Sequence, residues 1–177
     1  MNDQVGPEAS IRGVHQAIDS WLEVVEENSM DRLLARPPGN KWSLGQLCNH
    51  LLEATDYFFE QVEICLSANE HWEEEMSPAA RILFGINGFP DQLIEGPPSN
   101  AATPQPDNKE SLLVAFNQLR QRLAGIEERL PISNTKGKTR HPGLKYFNAG
   151  EWLQFSEMHF RHHLRQKRRI EEFLDTI

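Results

Sequence analysis

The C-terminal segment sets the tightest limit on what this chain can fold into. Trp152, Phe155, Ile170, Phe173 and Ile177 recur at helical spacing and form one apolar stripe. On a wheel of about 100° per residue, His159 and His163 fall within roughly 20° of the centre of that stripe. Both imidazoles are therefore expected to point inward, whereas His162 lies about 80° off and is the weaker ligand candidate. Two histidines one turn apart stand over one another and can chelate a divalent ion. They can equally be core histidines that hydrogen-bond inside the protein, and the pair alone leaves both readings open.

Three further segments keep the same period. Ile11, Val14, Ile18, Trp21, Leu22 and Val25 predict a first helix capped by Ser10 and ending near Asn28, with residues 1–9 as a loose end. His15 sits at the edge of that stripe. Beyond the Arg36-Pro37-Pro38-Gly39-Asn40 break, Ser43 and Gln46 form a capping box for a second helix. Leu44, Leu47, Leu51, Ala54, Phe58, Val62 and Cys65 make its stripe, and His50 stands on the flank, able to reach an ion between two helices. Leu112, Phe116, Leu119, Leu123, Ile126 and Leu130 mark a third helix between Asn108 and Pro131. A second capping box, Asn148 with Glu151, opens the fourth, which is expected to run to the chain end.

No alternating period predicts a sheet. Residues 1–177 read as one all-α domain, a four-helix bundle. Residues 70–107 carry an acidic Glu73-Glu74-Glu75 run and then a stretch rich in Gly, Pro and Asn. A connection this long is a lid, a disordered segment or a crossover. A crossover between helices two and three makes those two run parallel, in an up-down-down-up order.

A formal charge of −8 argues against a nucleic-acid or anionic-membrane binder, which draws affinity from clustered Lys and Arg. The one basic row, Arg161, Arg165 and Arg168, reads as a solvated face. The start lacks a basic and apolar leader, and no uninterrupted apolar run is long enough to span a bilayer. Cys48 and Cys65 are the only cysteines, too few for a disulfide framework, so a cytoplasmic setting is expected and both read as small buried residues.

Trp42-Ser43 followed by His50, and Glu151-Trp152 leading into His159-Phe160-Arg161-His162-His163-Leu164-Arg165-Gln166, resemble the DinB-like superfamily of metal-dependent enzymes. His141-Pro142-Gly143 is similar to the short His-Pro segment of one branch. The resemblance covers the whole domain in element order. It implies an up-down-down-up bundle holding one divalent ion, zinc or nickel, on three histidines, which fall on His50, His159 and His163. Some members lack the metal; this sequence keeps all three residues. Relatives imply a small-molecule substrate, with transfer of a low-molecular-weight thiol preferred to hydrolysis, and homodimers. A noncatalytic bundle that binds a small molecule or dimerises is the competing expectation.

Three neutral imidazoles leave a coordination position for water or substrate, the mark of a catalytic site. Gln166, nearly one turn beyond His163, is expected to orient a ligand or a bound water. Glu53 and Tyr57, one and two turns past His50, are candidates to move a proton. His141 either closes over the site or, the preferred reading, lies on the surface. The chain has no HExxH, no Glu-x-x-His, no phosphate loop and no Gly-x-Ser-x-Gly elbow, which excludes zincin peptidases, di-iron carboxylate bundles and serine hydrolases of that type.

Overall fold

Four long helices carry most of the chain in a computed structural model that describes residues 5–39, 41–90 and 102–177. They are α1 (Pro7–Glu27), α3 (Leu44–Cys65), α5 (Lys109–Arg129) and α6 (Ala149–Leu174). Two short helices, α2 (Met30–Leu34) and α4 (Pro78–Gly85), and a 3₁₀ turn at Leu130–Ile132 lie between them. α1 and α3 each pack against both α5 and α6, which closes a ring around one core of Trp21, Leu47, Phe59, Phe116, Trp152 and their neighbours. No helix among the described residues is long and apolar enough to cross a membrane.

Local chemistry explains where the helices start. The Ser43 hydroxyl accepts from Gln46 N at 3.1 Å and Gln46 Oε1 accepts from Ser43 N at 3.3 Å, the capping box expected for α3. Asn148 and Glu151 do the same for α6, at 2.9 and 2.7 Å. The reading of α1 needs correction. It begins at Pro7, the favoured first helical residue, with Gly6 as its cap, so residues 7–9 are helical rather than loose. Ser10 is no cap; it is buried inside the helix. Residues 1–4 lie outside the described residues. At the other end, α6 stops at Leu174, which takes the last core position, and Ile177 is 75% exposed.

A sheet, not expected from the sequence, fills part of the second loop. β1 (Lys138–His141) and β2 (Lys145–Asn148) pair antiparallel, with Thr139 opposite Phe147 and His141 opposite Lys145. Residues 142–144 make the turn, and Lys145 completes it at φ 66°. Phe147 is fully buried, and the Thr139 hydroxyl accepts from Trp152 Nε1 at 2.7 Å, which docks the hairpin on α6.

Two features bring the long helices close. A Cβ on Gly13 would lie 2.6 Å from Glu157 Cγ, so α1 and α6 meet where α1 has no side chain. Arg122 of α5 forks onto Glu63 of α3 at 3.0 and 2.7 Å. The long connection is tied at both described ends. Gln154 Nε2 donates to Asn87 Oδ1 at 3.0 Å, and Arg161 Nη2 to Asn87 O at 2.8 Å. The row of Arg161 and Arg165 is thus partly covered by residues 87–89 instead of fully solvated, Arg165 reaching Phe89 O at 3.5 Å. Farther on, Gln46 Nε2 donates to Thr103 O at 2.7 Å, and Ser43 Oγ to Gln105 Oε1 at 2.6 Å. Residues 91–101 of that connection lie outside the described residues.

Candidate metal centre

α3 and α6 hold the site between them. Leu47 and Leu51, both fully buried, seat the first turns of α3 on the core and leave His50 on the flank that meets α6. Phe58 faces Phe155 across the same interface at 5.3 Å, and Cys65 Sγ reaches Phe147 O at 3.6 Å. The two helices therefore run antiparallel, which sets the seventh residue of α3 level with the middle of α6.

At that level the three imidazoles converge. Nε2 of His50 lies 3.3 Å from Nε2 of His159 and 3.2 Å from Nε2 of His163, and the last two are 3.2 Å apart. Three donors 2.0–2.1 Å from one tetrahedral ion stand about 3.3 Å from one another. Among the described residues, no cysteine or carboxylate joins this group. His163 is buried, and His50 and His159 are half-buried.

The chemistry of the donor set fits a cation. Burial, then the neighbouring His162, push His50 down to about 4. Burial and then His50 push His163 down to about 3. Burial and the other histidines hold His159 well below its ordinary range. All three are neutral at pH 7, the ligating form. His163 Nδ1 faces Gln166 Oε1 at 3.0 Å; an N–H there donates to the amide oxygen and leaves Nε2 as a bare lone pair. Hydrogen bonds alone satisfy the triangle poorly, since each neutral ring has one proton and His163 spends its own on Gln166.

The walls are aromatic. The Trp42 ring stands 5.0 Å from His50, and Phe58 meets His159 edge-on at 5.4 Å. Periodicity shows that Phe58 is buried but not that it touches a histidine, so its place here was not legible beforehand. Cys48 is buried two residues before His50, and burial pushes its thiol up to about 12, far from a thiolate.

The other candidates are distributed unevenly. Gln166 touches the remote nitrogen of His163, so it acts on the ring and not at the open face of the triangle. Tyr57 is 37% exposed and packs edge-on against Trp152 at 5.9 Å. Glu53 is exposed on α3. His162 packs against Phe89 at 5.1 Å and stands outside the triangle, with its Nδ1 buried and unpartnered. His15 faces outward to Glu127 at 3.2 Å. His141 is neither a lid nor a surface residue. Its ring packs 5.0 Å from Phe155, 5.4 Å from Phe147 and 5.6 Å from Trp152, because the hairpin folds it back onto α6.

These buried histidines make metal-free protein acid-sensitive. His50, His159, His163 and, through burial, His141 all have folded pKa values below the unfolded value of about 6.5. The unfolded chain binds more protons below that pH, so stability is full above about 6.5 and falls as pH drops through about 4. Thermal melts in chelator should show Tm falling steadily from pH 6.5 to 4. A level Tm over that range would mean that the rings are not desolvated.

A family model described as the DinB superfamily matches residues 14–166. No curated protein and no solved structure gives a significant match. The family match spans α3, α6 as far as Gln166 and all three converging histidines. Extending over most of the sequence, it shows that the chain belongs to the DinB superfamily.

Proposed function

We propose that this chain is a metal-dependent enzyme that holds one divalent ion, zinc or nickel, on His50, His159 and His163. The observation that carries this reading is the triangle of Nε2 atoms 3.2–3.3 Å apart on neutral rings, one buried and two half-buried. An ion bound there supplies Lewis acidity, which lets a coordinated thiol or water lose its proton near neutral pH. We further propose an up-down-down-up bundle. Support comes from the antiparallel α3 and α6, from Asp19 of α1 paired with Arg120 of α5 at 3.0 Å, and from Lys109 at the start of α5 reaching Glu26 O at the end of α1 at 2.6 Å.

Between the two reactions, the surroundings of the rings favour thiol transfer. Among the described residues, the hydrogen bonds of the triangle run among its own members and to Gln166, with no carboxylate or hydroxyl among them. Hydrolysis calls for a positioned acid or base to activate water and protonate the leaving group. A thiol is acidic enough to dispense with one. With an ion held by His50, His159 and His163, a low-molecular-weight thiol would lose its proton to solvent, its sulfur would bond to an electrophilic carbon, and the leaving group would depart with the bonding pair. Trp42 packed on His50 and Phe58 packed on His159 make the surroundings of the rings apolar. The setting we propose is cytoplasmic, without nucleic-acid or membrane partners, in keeping with the net charge.

The test is a panel of cellular thiols with monochlorobimane, and a parallel panel of esters and amides, each with zinc- or nickel-loaded protein and with chelator. Chelator-sensitive conjugation of one thiol is expected. Turnover confined to esters or amides would replace transfer by hydrolysis. No turnover in either panel would favour a noncatalytic small-molecule-binding or dimerising bundle. Gln166→Leu should weaken zinc binding about 10–100-fold in a competition titration, the usual cost of losing the partner that orients a ligating histidine.

A further inference from the structure

We propose that Ser156 is the positioning residue for His159, the part that Gln166 plays for His163. The inference rests on the three-histidine reading above. A ligating imidazole almost always donates its second ring N–H to a partner. His163 Nδ1 has Gln166 at 3.0 Å, whereas His159 Nδ1 is buried with no partner. A ring whose Nε2 holds a cation must carry its proton on Nδ1, and a buried N–H is costly to leave unmet.

Ser156 is the polar group placed to meet it. It stands three residues before His159 on α6, and side chains so related have Cβ atoms about 5–6 Å apart. Histidine side chains in a helix lean back over the preceding turn, which carries the His159 ring toward residues 155 and 156. On the wheel, Ser156 lies roughly 20° from His163, on the same inward stripe. Its hydroxyl is wholly buried and also lacks a partner. Two unmet polar atoms one turn apart, one needing an acceptor and the other able to accept, complete each other. Turned toward the ring by a small rotation, or across one water, the hydroxyl accepts from His159 Nδ1–H.

Thr55 supplies the control. Its hydroxyl is equally buried and unpartnered, but it sits on the facing helix α3 instead of the turn of α6 that precedes His159. The experiment compares wild type, Ser156→Ala and Thr55→Val by zinc competition titration. It also reads the His159 tautomer in metal-free protein from the imidazole nitrogen shifts in ¹⁵N NMR. Ser156→Ala is expected to weaken zinc binding about 10–100-fold. It should also shift the His159 proton from Nδ1 toward Nε2, while Thr55→Val changes neither. Unchanged affinity and tautomer in Ser156→Ala would overturn the proposal, as would an equal loss in Thr55→Val, which would mark Thr55 as the partner or a general packing effect. If wild type takes up no ion yet the tautomer shifts in Ser156→Ala, the Ser156 contact stands and the metal reading falls. Removing an unpartnered hydroxyl from a helix interior leaves folding intact, which circular dichroism verifies in the same samples.

Discussion

His159→Ala is expected to abolish metal binding, which in the wild-type protein should reach about one zinc or nickel ion per chain. The size of the effect follows from geometry. Three nitrogens at mutual distances of 3.2–3.3 Å surround one point, and removing one leaves two donors on opposite helices with no third to close the angle. Loss of an outer partner alone costs about 10–100-fold in affinity, so loss of a donor should exceed about 100-fold. His162→Ala is the matched comparison, because His162 is on the same turn but outside the triangle. Its affinity should stay within about threefold of wild type, allowing for the ring lost beside His163. Equal binding by His159→Ala and wild type, measured by metal analysis after gel filtration, would remove the three-histidine site. A loss in His162→Ala as large as in His159→Ala would move the site along the helix.

Trp152→Ala should produce the largest loss of stability, about 3–5 kcal/mol, as for other large aromatic truncations in a core. Trp152 is fully buried, with Phe147 at 5.1 Å, Phe58 at 5.7 Å and His141 at 5.6 Å around it, so the space left cannot close by moving one neighbour. Its indole N–H also supplies the hydrogen bond to Thr139 that docks the hairpin. Trp152→Phe keeps most of the volume and loses the donor, for which about 1–3 kcal/mol is expected. Urea unfolding followed by far-ultraviolet circular dichroism separates the two, and a loss below about 1 kcal/mol in the alanine variant would show that the hairpin and α6 repack freely.

What could be read in advance was what local sequence decides. The capping boxes at Ser43 and Asn148 involve residues three apart, and the inward aim of His159 and His163 follows from one helix wheel. The start of α1 was misplaced because Ser10 resembles a cap, although Pro7 carried the truer signal. Strands of four residues, Lys138–His141 and Lys145–Asn148, are too short to display alternation, so Pro142-Gly143 looked like an ordinary loop. His141 looked solvent-exposed because its neighbours in sequence are polar; its aromatic surroundings come from pairing with Lys145 and from α6, both non-local. The wheel could not say where α6 ends, hence Ile177 in place of Leu174. His50 lies 109 residues from His159, and no spacing rule links them; the likeness to the family named the three together, and the antiparallel packing of α3 on α6 explains why they meet.

That separation along the chain has a further use. Donors so distant cannot gather in a denatured polypeptide, so an ion that needs all three is bound by native molecules alone. Free metal at one hundred times its dissociation constant would add about 2.7 kcal/mol to the unfolding free energy. A colorimetric chelator titrated against a sample would then count natively folded chains directly, with no spectroscopic signal from the protein itself.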